Sequence, residues 1–474
     1  MISFDFALRI EGDRAGRSIA FNFEDKVWLI NNFQFPISKK TRYTELVKKI
    51  ILVLILFLMM GRGVEATNEW GSIVNSNHQS EKIVSTLFFA GPPNLGALPN
   101  YTRHPSDNAN NLWTDESIQF SLNQMKQIGI NTVKVSYWGH DGETDRWATT
   151  LLFANKDWRN RATVLSESEI VSQATHFFQL VDENQLMFSP LIEVSPANPF
   201  YEQFPGNTGN MVDRIVWLVN NFGDQPGWLK VYDKNGVPRL AVWLIDTVHS
   251  SPINPNSFAT GLDTISTKVE QATGKKVGLI IDPTPLPPYG SVFGPDPTAI
   301  SKTQSVLAVN PFNITSQGAS GQAERRISED DRLAYAESVV KKWSTSPIPF
   351  ITTLLPGYDA HIVFPSFGIY GFTDVWLNKQ QDLLLKYSNK GISFDVWNGY
   401  TEGYEIVPTV EEGDRIYQWA KGVIGLINVP ANIMGDYDGD GDVDLVDFGI
   451  WKGKYLAGNS TLVEFGVWKR GYLK

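Results

Sequence analysis

From residue 83 onward, short apolar runs alternate with longer stretches of helical periodicity, and this alternation constrains the fold more than any other property of the chain. The runs are "IVSTLFFAG" (83–91), "TVKVSYW" (132–138), "LMFSPLIEV" (186–194), "RLAVWLID" (239–246), "KVGLIID" (276–282), "SVLAVNPF" (305–312), "PFITTLLPG" (349–357) and "ISFDVWN" (392–398). Near-continuous apolar runs are what strands of a parallel sheet require, because helices cover both of its faces. Between them, "ESIQFSLNQMKQIG" and "EDDRLAYAESVVKKW" space apolar residues by three and four, as an outer ring of helices would. Eight such units predict an α/β fold, a (β/α)8 TIM barrel over residues 80–428. A doubly wound open sheet is the alternative, but no G-x-G-x-x-G or P-loop follows the first strand. The Lys-Asn-Gly of "GWLKVYDKNGVPRLAVWLID" predicts a tight turn before the fourth strand.

The rest of the chain reads differently. Lys48 and Lys49 precede an unbroken apolar run from Ile50 to Met60, the length of a secretory h-region and short of the roughly 20 residues a membrane span needs. Val64-Glu65-Ala66 offers small residues for cleavage, so residues 39–66 are expected to be a signal peptide and Thr67 the first mature residue. Residues 1–38 are then an upstream extension, expected from a start assigned too early. The mature chain is expected to be secreted or attached to a cell surface, with no stable membrane span. A net charge of -10 argues against nucleic-acid binding, which requires clustered Lys and Arg. The absence of cysteine excludes disulfides, thiolate nucleophiles and Cys-ligated zinc.

Past a linker at 429–434, residues 435–474 form a small module. Asp436, Asp438, Asp440, Asp442, Asp444 and Asp447 stand at positions 1, 3, 5, 7, 9 and 12 of a loop with Gly441 at position 6. That is the oxygen-ligand register of a Ca²⁺ loop, with glycine allowing its sharp turn. "VDFGIWKGKYL" (446–456) and "VEFGVWKRGYL" (463–473) are near copies of one helical unit. The module resembles a type I dockerin, a small α-helical, EF-hand-like unit, and the resemblance implies a cohesin-bearing scaffold as partner. Where a second acidic loop would stand there is "LAGNSTL", so one Ca²⁺ is expected here and none in the barrel.

Active sites of such barrels lie at the carboxyl ends of the strands, and carboxylates collect there: Glu193, Asp246, Asp282, Asp359 and Glu402. Glycoside hydrolysis commonly uses two, one protonated and one ionised. Aromatic and imidazole side chains stand beside them, and Trp138, His140, Trp243, Tyr358, Trp397, Tyr400 and Tyr404 are the candidates for contact with a sugar ring.

"FDVWNGYTEGYEIVPT" resembles the last-strand motif of the glycoside hydrolase family 99-like group, which includes endo-α-mannosidases, and more loosely that of the family 71 α-1,3-glucanases. The resemblance runs through "VKVSYWGHDGE", "WLKVYDKNGVPRLAVW" and "ITTLLPGYD". By position it places the family's acid/base glutamate on Glu402 and the family's other carboxylate on Gly399, with Val407 where a later family glutamate stands. It implies a glycosidase acting on a polysaccharide or oligosaccharide, with Glu402 as proton donor and the partner acid drawn from Asp282, Asp246, Asp359 or Glu193. The alternatives are a carbohydrate-binding protein whose barrel is no longer catalytic, and a calcium-dependent surface protein without a sugar site.

Overall fold

A computed structural model describes residues 8–13, 16–23, 26–30, 69–74, 82–89, 101–107, 114–137, 166–193, 209–245, 255–284, 296–312, 314–316, 327–362, 368–387, 390–400, 402–428, 437, 445–456, 465–466 and 468–469. The chain divides into two compact units, Met1–Thr67 and Asn68–Lys474. In the first, β1 (Leu8–Asp13), β2 (Gly16–Phe23) and β3 (Lys26–Ile30) form an antiparallel sheet in that order. The expected signal peptide lies outside the described residues. Among the described residues no helix is long and apolar enough to cross a membrane.

The second unit is built on eight parallel strands: β4 (Ile83–Leu87), β5 (Thr132–Tyr137), β6 (Met187–Glu193), β8 (Pro238–Ile245), β9 (Val277–Ile281), β10 (Val306–Val309), β11 (Ile351–Leu354) and β14 (Gly391–Val396). Each run singled out in the sequence overlaps one of them, with β8 and β14 each beginning one residue earlier than its run. Neighbours pair in chain order from β4 to β10, and β11 pairs with β14, which pairs with β4. The ring closes between β10 and β11 through the parallel bridge of Val309 with Phe350, where the Val309 N–H donates to Pro349 O at 2.8 Å. The architecture is therefore a (β/α)8 barrel.

The short β7 (Lys230–Tyr232) runs antiparallel to β8 across the expected turn. There Asp233 accepts the Asn235 and Val237 N–H groups at 2.9 Å, and Gly236 takes φ +71. A hairpin of β12 (Gly357–Tyr358) and β13 (Tyr370–Gly371) follows β11.

Helices on the outside begin and end where the sequence punctuates them. Thr114 caps α1 (Asp115–Ile128) by accepting the Ser117 N–H, and Gly129 ends it at φ +94. Ser166 and Glu169 form a capping box on α2 (Glu167–Glu183). They are followed by α3 (Gly209–Phe222), α4 (Pro255–Thr273), the short α5 (Pro297–Ile300), α6 (Glu329–Ser344), α7 (Asp374–Lys386) and α8 (Arg415–Asn428). The apolar faces of these helices meet the outward side chains of the strands, and Ile215, Leu262, Val340 and Val423 are buried against the sheet.

The lumen holds polar residues that satisfy one another. Lys134 on β5 reaches across β4 to give a hydrogen bond to Ser393 Oγ at 2.6 Å. The Trp243 indole N–H donates to Asn310 Oδ1 at 3.0 Å, and the Asn310 amide donates to Thr353 Oγ1 at 2.9 Å. A buried ammonium and amide of this kind are tolerated only because each has a partner.

The C-terminal module contains α9 (Leu445–Leu456). Its two sequence copies pack ring to ring. Phe448 meets Trp468 and Trp451 meets Phe465, each pair with centroids 4.8 Å apart, while Phe448–Trp451 and Phe465–Trp468 stand at 5.6 and 5.7 Å. Exchanging the copies leaves these distances nearly unchanged, so a repeat in sequence has become an approximate two-fold in space.

Candidate active site

The last barrel strand delivers Glu402 by way of three local devices. Asn398 locks the end of β14 to the end of β4, accepting the Phe89 N–H at 3.0 Å and donating to Phe89 O at 2.7 Å. The chain then turns on Gly399, whose carbonyl accepts the Glu402 and Gly403 N–H groups at 3.1 and 2.8 Å. Gly403 sits at φ +54, and a Cβ there would lie 2.5 Å from Asp359 O, so the turn tolerates glycine alone at that point. Beyond it Glu405 bridges Val396, and the Ile406 and Val407 N–H groups return to Trp397 O at 3.2 Å.

Two phenols hold the Glu402 carboxyl. Tyr358 donates to Oε1 at 3.1 Å and Tyr404 to Oε2 at 2.9 Å. Both hydrogen bonds favour the ionised carboxylate, but burial outweighs them and raises the group above the usual carboxylate range. The phenols are themselves pushed upward, first by burial and then by the Glu402 charge. Tyr404, Tyr358 and Tyr370 form a continuous row of rings at 5.7 and 5.8 Å, ended by the Arg332 guanidinium 4.1 Å from the Tyr370 centroid. A half-buried carboxyl raised by burial beside an aromatic wall is a candidate for giving a proton to a bound oxygen.

Of the proposed partner acids, Asp359 is joined to this turn: its N–H donates to both Glu402 O and Gly403 O at 3.2 Å. Its Oδ1 lies 2.6 Å from His361 Nδ1, and its side chain is 16% exposed against 53% for the histidine. Asp282 is buried, and its Oδ1 accepts the Thr284 N–H at 2.9 Å, a turn that caps the end of β9. Glu193 ends β6, with its backbone in register with Ile245 and its side chain outside the described residues. Asp246, Trp138 and His140 also lie outside them.

The aromatic candidates separate. Tyr358 and Tyr404 are in the wall, whereas Trp243, Trp397 and Tyr400 are wholly buried and present no open ring face in this structure. Trp243 gives its N–H to Asn310, Trp397 stands edge-on to Tyr417 at 6.2 Å, and Tyr400 packs on Tyr101 at 5.4 Å. These three are scaffold for the turn and the lumen, because strand alternation at a carboxyl end sends some large rings into the core.

Gly399 leaves no space where the related motif carries a carboxylate. A Cβ at that position would meet Val396 Cγ2 at 2.5 Å and the Tyr404 ring at 3.2 Å.

Residues that sequence reasoning passed over also converge here. Asp395 occupies the point where the pairing of β14 with β4 slips by a residue. Its charge acts on Lys134 in the lumen and on Tyr370 and Tyr404 in the wall. Burial lowers Lys134 to about 8, offset by Asp395. Arg103, from the segment after β4, forms a buried ion pair with Glu405 at 2.7 Å. "FDVWNGYTEGYE" contains both acids, but only the fold brings in Lys134 and Arg103 from far earlier in the chain.

In the C-terminal module, Asp447 is wholly buried and its Oδ1 accepts the Tyr437 N–H. This bond brings positions 2 and 12 of the acidic loop together. Asp436, Asp438, Asp440, Asp442 and Asp444 lie outside the described residues.

No family profile matches the chain, and no curated protein sequence matches it. Among solved structures, the GH99 endo-alpha-mannosidase from Bacteroides thetaiotaomicron is similar at 14% identity, covering 72% of this chain and 95% of that one with a TM-score of 0.45. The exo-beta-1,4-mannosidase from Opitutaceae bacterium strain TAV5 is similar at 10% identity, covering 73% and 60% with a TM-score of 0.42. The endo-1,4-beta-mannanase from Rhizomucor miehei is similar at 11% identity, covering 73% and 94% with a TM-score of 0.41. The barrel assignment rests on the strand pairing described above.

Proposed function

We propose that the barrel is a glycoside hydrolase acting on a polysaccharide or oligosaccharide, with Glu402 as the proton donor. The observation that carries this reading is the Glu402 carboxyl itself, held by Tyr358 and Tyr404 in a site whose burial keeps it protonated to higher pH than an ordinary glutamate. Its proton passes to the glycosidic oxygen as the bond from that oxygen to the anomeric carbon breaks. Water gives one proton to the second carboxylate and supplies the hydroxyl that completes the released sugar. Asp359 is the second carboxylate of this reading, supported by its backbone link to Glu402 and its partial exposure. The tyrosine row supplies the wall against which a pyranose ring stacks.

The reading extends to the flanking segments. Asp436, Asp438, Asp440, Asp442, Asp444 and Asp447 would hold one Ca²⁺, a reading supported by the closure of the loop through Asp447 and Tyr437. Bound there, the cation would order the start of α9, and the dockerin-like module would tether the enzyme to a cohesin-bearing scaffold. Cleavage after Ala66 would release the mature chain to the cell exterior.

The test is reducing-end release from a panel of α-mannans, α-glucans and plant polysaccharides by residues 67–474 with calcium, beside Glu402→Gln and Asp359→Asn. Activity lost in both variants supports the assignment. A specific observation favours a second reading, that of a carbohydrate-binding protein: packing fills the position of a family carboxylate at Gly399. Glycan binding that survives Glu402→Gln, with no hydrolysis of any substrate by the unaltered chain, would establish that reading in its place.

A further inference from the structure

We propose that Arg103, together with Glu405, is a positioning residue for Glu402, bracing the turn that aims its carboxyl without touching it. The inference rests on the reading of Glu402 as the proton donor. Arg103 grips residues 400–405 at three points. At the start, the Thr102 and Arg103 N–H groups donate to Tyr400 O at 3.0 and 3.2 Å. In the middle, its side-chain stem lies against the turn so closely that a Cβ on Gly403 would stand 2.9 Å from Arg103 Cδ. At the end, Nε donates to Glu405 Oε1 at 2.7 Å.

The guanidinium is fixed from its other sides as well. Nη2 lies 3.5 Å from Thr409 Oγ1 and 3.5 Å from Glu412 Oε1, and the group stands 4.0 Å from the centroid of Phe372. The segment that carries it is tied to the same loop: the Ser106 N–H donates to Pro408 O at 3.1 Å and the Val410 N–H to His104 O at 2.8 Å. Glu402 therefore sits on a short arch whose two feet and crown all rest on one arginine.

Stability alone is a weak account of such a pair. Two charges taken out of water recover little beyond their desolvation cost, and apolar residues of similar size often serve as well. Here the cost is visible, since Glu405 Oε2 is buried without a hydrogen-bond partner and burial raises the group to about 7 against the pull of Arg103. The pair supplies direction, because a planar fork that binds through Nε and Nη2 while stacking on a ring has a single orientation. Lysine, with one point charge, cannot make these contacts together.

The experiment uses residues 67–474 labelled with ¹³Cδ-glutamate, and assigns the Glu402 signal by its loss in Glu402→Gln. Carboxyl titration, the pH profile of kcat and the thermal midpoint are followed in Arg103→Lys and in the double replacement Arg103→Met with Glu405→Leu. The double replacement removes both buried charges at once and is expected to keep the fold, which its thermal midpoint checks. If Arg103 positions Glu402, the Glu402 titration moves down toward an ordinary glutamate in both variants. In parallel, kcat falls by about tenfold or more with KM little changed, as misplacement of a reacting group requires. A lower thermal midpoint with an unmoved Glu402 titration and an unmoved alkaline limb would overturn the proposal and leave the pair a structural one. If the unaltered chain hydrolyses nothing while its Glu402 still titrates high, the enzymatic reading fails by itself, and the titrations of the variants still decide the positioning.

Discussion

Two glutamates three residues apart on one loop, Glu402 and Glu405, are both desolvated and both shifted upward, yet their surroundings give them different roles. Among the described residues the half-buried Glu402 carboxyl accepts from two neutral phenols, Tyr358 and Tyr404. Glu405 is wholly enclosed and faces a guanidinium. Burial alone therefore does not identify an acid catalyst. The partners differ: Glu402 is held by two neutral phenols, whereas Glu405 is tied to a guanidinium in a buried ion pair.

The largest expected effect separates the two directly. Glu402→Gln should lower glycoside hydrolysis by about 10²- to 10⁴-fold with the thermal midpoint almost unchanged, read as reducing-end release beside differential scanning fluorimetry. Glu405→Gln, which touches no reacting atom, should lower kcat only by about tenfold, and a loss equal to that of Glu402→Gln would erase the distinction.

Arg103→Met is next. It leaves Glu405 buried without its cation, and should cost about 3–5 kcal/mol in urea unfolding, most of it recovered when Glu405→Leu is added. A loss that the second substitution does not repair would mean that Arg103 matters through Phe372 or Thr409 instead.

Gly399→Asp, which adds a carboxylate to the turn, should destabilise the chain by about 1–3 kcal/mol without raising activity, because its Cβ overlaps Val396 Cγ2. A gain in hydrolysis would show that the turn can open to take the second acid.

Tyr404→Phe removes a hydrogen bond that favours ionised Glu402. It should cost about 1 kcal/mol and move the alkaline limb of kcat/KM to higher pH, since a carboxyl without that donor holds its proton longer. A downward move would mean that water enters where the phenol leaves.

The last comparison concerns pH and stability. A carboxyl raised from 4.5 to about 7 binds more protons folded than unfolded, so the Glu405 contribution is full below 4.5 and is lost as the pH climbs through about 7. Urea midpoints should therefore fall from about pH 5 to about pH 8, and Glu405→Gln should flatten that slope.

How far the sequence could be read follows from the range of each interaction. Strand runs such as "KVGLIID" are visible because residues buried on both faces must be apolar consecutively, and each of the eight runs overlaps a barrel strand. Their ends were less visible: 305–312 shrinks to Val306–Val309, because residues past the ladder stay apolar while the backbone turns toward the site. Glu402 was legible as a candidate from its neighbours in one motif. The buried state of Trp243, Trp397 and Tyr400 was not, since whether a ring at a strand end faces a groove or the core depends on elements far away in the chain.

By itself, then, the sequence determined the barrel's strand runs, the turn glycines and the acidic register of the C-terminal loop, all of which follow from local periodicity and backbone preference. Tertiary structure alone decided that Tyr358 and Tyr404 share one carboxyl and that Arg103 reaches Glu405 across 302 positions of chain. Likewise Lys134 lies beneath the site, in the lumen with Ser393. A carboxyl's proton affinity is set by whatever surrounds it within a few ångströms, and closing the barrel brings together residues that no local pattern connects.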